Sequence, residues 1–318
     1  MGSLAPLPDI YLLEKFPPEV VSYCQSLFRT VLWTDPEVLN WRENASAILV
    51  REKLVSAQDI EKAQKLRAIG KNGVGIDIIN QPACASRGIP ILNTPGANSQ
   101  SVAELVLALT MAVARQLRTI SVKQVTEKVA LKEACSGVGL AGKTIGIVGM
   151  GNVGVSVARI FQGGFNAPIY AYDPFAPAGA WGDIPHTRVE TIEAMLPHVD
   201  MLTLHVPLTP ETHNMIALPQ FQLMKKNAIL INAARGGIVN EVDLMKALTE
   251  GLIWGAGLDC HDEEPPTLEK YGKLWDTGRV ISTPHIGSAT AETQIYTGKL
   301  ALNRVHEYLT RDESVKKD

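Results

Sequence analysis

One hexapeptide, Gly149-Met150-Gly151-Asn152-Val153-Gly154, constrains this chain more than any other feature. It spells Gly-x-Gly-x-x-Gly, follows the apolar run Thr144-Ile145-Gly146-Ile147-Val148 and leads into the apolar-periodic segment Val155-Ser156-Val157-Ala158-Arg159-Ile160-Phe161. A strand that enters a helix through such a turn suits a dinucleotide: Gly149 would allow the tight turn, Gly151 the approach of the pyrophosphate, and Gly154 close packing of helix on strand. Asn152 and Val153 stand at the helix start, where unpaired N–H groups face phosphates. Asp173 closes the next apolar run 19 residues beyond Gly154, where a carboxylate can accept from both ribose hydroxyls. Glycine also serves ordinary turns, and an acid before Pro174 also ends strands. The ordered combination favours the dinucleotide, and because Asp173 would repel a 2′-phosphate, NAD is expected over NADP.

Short apolar runs recur at βαβ spacing on both sides of this turn. They lie first at residues 10–13, 47–50, 66–69 and 89–92, with an amphipathic stretch at 56–65. The breakers Pro95-Gly96-Ala97-Asn98 precede an apolar segment over 99–117, which reads as one buried helix whose surface suits a place between domains or subunits. A second series follows at 145–148, 169–172, 201–204, 228–231, 255–258 and 280–282, with helices expected over 153–162, 192–196, 219–224, 241–249 and 289–309. Six strands in series predict an α/β protein with a doubly wound parallel sheet. The 318 residues suffice for two domains, and the division falls at residue 98.

Charge and cysteine usage exclude several functions. Lys and Arg total 30 against 33 Asp and Glu, a net charge of −3, and no basic run is longer than a pair such as Lys316-Lys317, so no nucleic-acid partner is expected. No apolar stretch approaches the roughly 18 residues of a membrane span, and the N-terminus lacks the basic region and cleavage site of a signal peptide. Cys24, Cys84, Cys135 and Cys260 are far apart without metal-ligand spacing, so a reduced, cytoplasmic protein with no bound metal is expected.

Hydride transfer from a dinucleotide to a carbonyl needs a cation to polarise the oxygen, and a proton donor titrating near neutrality. Arg235 and His285 follow two expected strands, at the sheet edge where such folds bind ligands. A nearby carboxylate would raise the imidazole pKa, and the run Asp262-Glu263-Glu264 offers candidates. Taken singly, each has an ordinary alternative: a loop arginine, a capping histidine, one member of the acidic run Asp262-Glu263-Glu264.

Together with Gly73-Val74-Gly75-Ile76-Asp77, Asn93-Thr94-Pro95-Gly96-Ala97-Asn98, His205-Val206-Pro207-Leu208-Thr209-Pro210-Glu211-Thr212, Asn232-Ala233-Ala234-Arg235-Gly236-Gly237, Gly257-Leu258-Asp259 and Thr283-Pro284-His285-Ile286-Gly287, these residues resemble the D-isomer-specific 2-hydroxyacid dehydrogenases. The resemblance spans about residues 45–295, in the family's order. It implies reversible hydride transfer between NAD(P) and the α-carbon of a small 2-hydroxy or 2-oxo acid, in a cleft between a Rossmann lobe of residues 99–287 and a smaller, flavodoxin-like substrate lobe of residues 1–98 and 288–318. It further implies Arg235, Glu264 and His285 as the catalytic set. Val102, His205, Pro207, Thr212, Ala233, Asp259 and Gly287 would lie along the cofactor, and the amides of Val74 and Gly75 would bind the substrate carboxylate. A homodimer is implied as well.

Within the family the chain looks most similar to phosphoglycerate dehydrogenases, and Arg51 and Lys71 would then meet a distal phosphate. Glyoxylate or hydroxypyruvate reductases and general 2-oxo acid reductases are the nearest alternatives. Corepressors that use this scaffold to sense NAD are the alternative of another class. The chain departs from the family at Ile78 and Asn80, where polar and acidic residues are common, and lacks the usual Gly-x-Trp between residues 117 and 140.

Overall fold

Parallel strands order themselves as 2-1-3-4-5 in the first of two sheets and as 7-6-5-4-1-2-3, counted along the sheet's own sequence, in the second. The first is the flavodoxin-like order and the second the doubly wound order of dinucleotide-binding domains with one strand added. The computed structural model describes residues 7–127 and 131–315. Residues Met1–Asn98 with Ser288–Asp318 form one compact unit and Ser99–Gly287 the other. The start of the N-terminal segment read for a leader and Lys316-Lys317 lie outside the described residues.

In the first unit the elements are β1 (Asp9–Leu12), α1 (Pro18–Leu27), β2 (Arg29–Val31), α2 (Trp41–Asn44), β3 (Ala47–Val50), α3 (Ala57–Lys62), β4 (Ala68–Lys71), α4 (Gln81–Ser86) and β5 (Ile91–Leu92). Strand alternation sorts the core. Tyr11, Ile48, Val50 and Ile69 join one buried cluster, and Ile10, Leu12, Ala47, Leu49 and Ala68 join the other. Ala301, Leu302, Val305 and Leu309 from the last helix of the chain (Ala291–Val315) complete the second cluster, so that helix covers one face of this sheet. Fully burying each large aliphatic side chain here contributes roughly 1.5–3 kcal/mol over leaving it exposed. Ser56 and Asp59 form a reciprocal capping box that starts α3.

The second unit holds α5 (Ser99–Ala114), α6 (Leu117–Thr126), β6 (Ile145–Val148), α7 (Asn152–Phe165), β7 (Ile169–Tyr172), β8 (Thr187–Arg188), β9 (Met201–Leu204), α8 (Leu218–Leu223), β10 (Ile229–Asn232), α9 (Glu241–Thr249), β11 (Gly255–Leu258), α10 (Leu268–Asp276) and β12 (Val280–Ser282); the last helix is therefore α11. Ile145, Ile147, Ile229 and Ile231 face one buried cluster, while Val148, Leu202, Leu204 and Leu230 face the other. A sheet buried on both faces explains why its strands read as continuous apolar runs.

Several expectations are corrected. The apolar segment does not form one helix through residue 117: Gln116 adopts φ +52°, and α5 gives way to α6 there. Within its own unit, Ala103, Val106, Leu109, Val113 and Ala114 of α5 are buried beside Ile147 and Ile231. Residues 192–196 form turns rather than a helix, although Ile192, Met195 and Leu196 are buried as a helical face would be. The short strands β2 and β8 and the helices α1 and α10 went unread. In the described residues no single helix is long and apolar enough to cross a membrane.

Candidate active site

The glycine turn has the shape its sequence demands. Gly149 sits at φ +99°, and a Cβ there would stand 2.4 Å from the His205 carbonyl oxygen. A Cβ on Gly154 would meet the Gly149 carbonyl oxygen at 2.2 Å, so α7 can pack on its own turn only through glycine. Gly151 differs: a Cβ there meets nothing within 4 Å, which leaves open space beside the helix start. No side chain caps that start, and the N–H groups near Asn152 and Val153 face a position favourable to anions. This cradle fits a dinucleotide pyrophosphate. Trp181, which sequence reading missed, supports it from behind by donating Nε1–H to the Met150 carbonyl at 2.9 Å.

Asp173 stands at the end of β7, the strand beside β6. Its Oδ2 accepts from the Met150 N–H at 2.9 Å, and its Oδ1 accepts from the N–H groups of Phe175 at 2.9 Å and Ala176 at 3.1 Å. Three of a carboxylate's roughly four acceptor sites are thus engaged, leaving one to spare rather than the pair expected for two ribose hydroxyls. The backbone bonds fix the carboxylate in place.

The strand order places the remaining residues along one edge. His285, Asp259, Asn232, His205 and Gly149 lie at or just beyond the C-terminal ends of β12, β11, β10, β9 and β6, which neighbour one another in that order at about 4.8 Å per strand. Open α/β sheets bind ligands outside this edge, at the point where strand order reverses, here between β6 and β9.

His285 has φ +57°, an uncommon conformation for a residue with a side chain. Asp259 holds it there. That buried carboxylate accepts from Thr283 Oγ1 at 2.6 Å and from the N–H groups of Ile286 and Gly287, both at 2.8 Å, while the Asp259 carbonyl accepts from the His285 N–H at 2.7 Å. His285 Nδ1 lies 2.9 Å from Glu264 Oε2, and Glu264 Oε1 accepts from the His261 N–H at 3.1 Å. The Cys260 sulfur and then the Glu264 carboxylate raise the His285 pKa to about 10 against the opposing effect of burial. Burial works to raise the Glu264 pKa, but the His285 hydrogen bond and charge outweigh it, and Glu264 titrates below its ordinary value. Burial holds the Cys260 thiol above its usual range.

Arg235 occupies the loop after β10. Asn232 shapes that loop by donating Nδ2–H to the Arg235 carbonyl and accepting from the Ala234 N–H, and Arg235 Nη1 donates to the Ala234 carbonyl at 2.7 Å. The next residue locks it against the loop after β11: a Cβ on Gly236 would fall 1.9 Å from the His261 carbonyl oxygen, and the Gly237 N–H donates to Asp262 Oδ1 at 2.6 Å. The loops bearing Arg235 and Glu264 are therefore stitched together.

His205 is half-buried, with Nε2 3.0 Å from Thr203 Oγ1, and desolvation lowers its pKa to about 3. It stays neutral and suits a wall better than a proton donor. Thr212 Oγ1 donates to the Pro207 carbonyl, and half-buried Ala233 packs beneath the edge. Val102 in the first turn of α5 borders Gly287, whose carbonyl accepts from Ser101 Oγ at 2.7 Å.

In the other unit, Gly73 has φ +124°, and Asn93 Nδ2 donates to the Val74 carbonyl at 2.6 Å, fixing the loop that carries Val74 and Gly75. Lys71 is buried and its Nζ donates to the Asn72 carbonyl, so it is not the solvated surface charge its type suggests. Arg51 is half-buried and its Nη1 donates to Gln294 Oε1 at 3.2 Å. Asn80, where the family often has an acid, caps α4 by accepting from the Ala83 N–H. Ile78 packs against the apolar cluster of this sheet.

Residues 107–287 match the family model described as D-isomer specific 2-hydroxyacid dehydrogenase, NAD binding domain. The chain belongs to that family. As a 2-hydroxyacid dehydrogenase relative it is 39% identical over 279 residues to a D-3-phosphoglycerate dehydrogenase of Methanocaldococcus jannaschii, covering 87% of this chain and 52% of that one. The chain thus spans about half the length of that relative. It is 39% identical over 257 residues to a hydroxypyruvate reductase of Thermotoga maritima, covering 80% of this chain and 81% of the relative. Among solved structures of the family it is similar to a putative D-isomer specific 2-hydroxyacid dehydrogenase from Polaromonas sp. JS6 66, at TM-score 0.85 and 26% identity, covering 96% of this chain and 98% of the other.

Proposed function

We propose that this chain is an NAD-dependent oxidoreductase that interconverts a short D-2-hydroxy acid and its 2-oxo acid. The observation that carries the reading is the His285–Glu264 pair, held at the same sheet edge as the glycine turn. When bound, the nicotinamide supplies or accepts the hydride. The chain's own residues handle charge and protons. With Nδ1 turned to Glu264, His285 Nε2 is the nitrogen assigned to the substrate oxygen, protonating it in reduction and taking the proton back in oxidation. Glu264 stabilises the imidazolium in both directions. Arg235 pairs with the carboxylate and polarises the carbonyl, a charge-assisted bond that strengthens as the oxygen becomes an alkoxide. The amides of Val74 and Gly75 are assigned to the substrate carboxylate. Val102, Pro207, Thr212, Ala233 and Gly287 are assigned to the cofactor, and His205 to a neutral wall near it.

Asp173 is assigned to the adenosine ribose, and its charge supports NAD over NADP. A distal anion on the substrate would engage Arg51 and Lys71, which places 3-phosphoglycerate first. Hydroxypyruvate and glyoxylate form the second reading, supported by the 39% identity to the Thermotoga maritima hydroxypyruvate reductase. We assign the protein to the reduced cytoplasm, in keeping with four free cysteines, and to a homodimer that the apolar helix α5 helps to form. Spectrophotometric NADH oxidation across a panel of 2-oxo acids tests the function. Turnover with phosphorylated or small polar members supports the reading, and cofactor binding without any turnover would replace the enzyme by an NAD-sensing module.

A further inference from the structure

Beneath the His285–Glu264 pair lies a group that the proposed reaction does not use. Cys260 follows Asp259 just past the end of β11, and His285 follows the end of β12, the neighbouring parallel strand paired to it through Leu258 and Ser282. The loop then returns, tied by the His261 N–H to Glu264 Oε1, and brings the carboxylate back over the sulfur. One ligand atom each from Cys260, Glu264 and His285 lies within 4.8 Å of the others. Sulfur, nitrogen and oxygen donors thus converge from one buried and two exposed residues.

We propose that Cys260, Glu264 and His285 form a binding site for a soft divalent cation of the zinc or cadmium class, and that its occupation switches the enzyme off. The inhibitory half of this inference rests on His285 being the proton donor; the binding half does not. In a tetrahedral zinc site with bonds of about 2.0–2.3 Å, ligand atoms stand about 3.3–3.6 Å apart, so atoms as much as 4.8 Å apart must close by roughly an ångström while His285 Nδ1 and Glu264 Oε2, at 2.9 Å, part slightly. Glu264 and His285, with side chains 35% and 43% exposed, can supply that movement by changes of rotamer, while the sulfur stays fixed under them. A thiolate selects zinc and cadmium over magnesium and calcium, which prefer oxygen. Three protein ligands leave a fourth position for water. Binding releases the Cys260 thiol proton and, from the charged ring, the imidazolium proton to solvent, so the site tightens as pH rises. A cation on Nδ1 displaces the Glu264 hydrogen bond and leaves the Nε2–H as the ring's only proton, whose transfer to substrate would leave a metal-bound imidazolate, so proton transfer is suppressed.

Cadmium titration of the full chain tests both halves, because thiolate-to-cadmium charge transfer absorbs in the ultraviolet whether or not the protein turns over. The expected result is a band saturating at one cadmium per chain, turnover falling in step with it, and reversal of both by a chelator. Cys260→Val replaces the thiol by a somewhat larger apolar side chain and should raise the half-saturating cadmium or zinc concentration by roughly tenfold or more, each rate being referred to that variant's own metal-free rate. Glu264→Gln, read through the band alone, should weaken binding as well, and magnesium at the same concentrations should do nothing. No band, or an equal band in Cys260→Val arising from Cys24, Cys84 or Cys135, overturns the site. A saturated band with undiminished turnover upholds the site and overturns its inhibitory role together with His285 as proton donor.

Discussion

His285 Nδ1 and Glu264 Oε2 meet at 2.9 Å although 21 residues separate them, because the loop after β11 and the loop after β12 leave adjacent parallel strands on the same side. This pair sets the pH behaviour. With the imidazole raised to about 10, reduction should persist into alkaline solution and fall only as pH approaches that value, while oxidation should gain over the same range. Glu264→Gln should move the falling limb of reduction to lower pH, and a pH–rate profile of both proteins checks it.

The same pair links folding to pH. A raised histidine pKa adds stability that is complete below its unfolded value near 6.5 and disappears as pH rises through about 10. The lowered pKa of Glu264 adds stability present above its unfolded value near 4.5 and lost as pH falls through the folded one. The difference in melting temperature between the native chain and Glu264→Gln should therefore be largest at about pH 5–6.5 and shrink toward pH 10. A difference that grows toward pH 10 would contradict the pairing.

Removing the proton donor calls for a substitution that respects the backbone. Because His285 has φ +57°, alanine adds strain there, whereas asparagine tolerates this region. His285→Asn should lower turnover by about a hundredfold or more with the fold intact, measured by steady-state kinetics beside circular dichroism. Arg235→Ala should both raise KM and lower kcat, since it touches carboxylate and carbonyl.

Asp259 anchors the histidine loop through one side-chain and two backbone donors. Asp259→Ala strands all three and should cost on the order of 3 kcal/mol of stability and lower kcat as His285 loses its orientation. Asp259→Asn keeps the oxygen but replaces the acceptor facing the Gly287 N–H, so denaturant titration should place it between the two.

Cofactor and substrate selectivity are separable. Asp173→Ala should erode the preference for NADH over NADPH, as read from kcat/KM with each. Arg51→Ala combined with Lys71→Met, which preserves volume at the buried position, should reduce kcat/KM for a phosphorylated substrate by at least about tenfold while sparing glyoxylate. Equal losses on both substrates would remove the distal-anion assignment.

The local chemistry of the cofactor turn was legible in sequence because it is contiguous: Gly149, Gly151 and Gly154 each meet the constraint their spacing implies, and the strands β6, β7, β9 and β11 read directly as apolar runs. The buried segment at residues 192–196 misled for the same reason, since apolar periodicity records burial and not backbone hydrogen bonding. The break at Gln116 and the short β2 and β8 carry too few residues to leave a pattern.

What the sequence by itself determined is the family and the two parallel sheets, and it singled out Arg235, Glu264 and His285 as candidates, because each rests on residues close together in the chain or in a fixed order. The tertiary structure decided which of them meet. Only the pairing of β11 with β12 sets Glu264 against His285, only the fold around Asp259 shows that acid holding the histidine loop, and only that same crossing places the Cys260 sulfur beneath the pair. Spacing along a chain reports local conformation, whereas a pKa and a ligand set arise from groups that meet through packing.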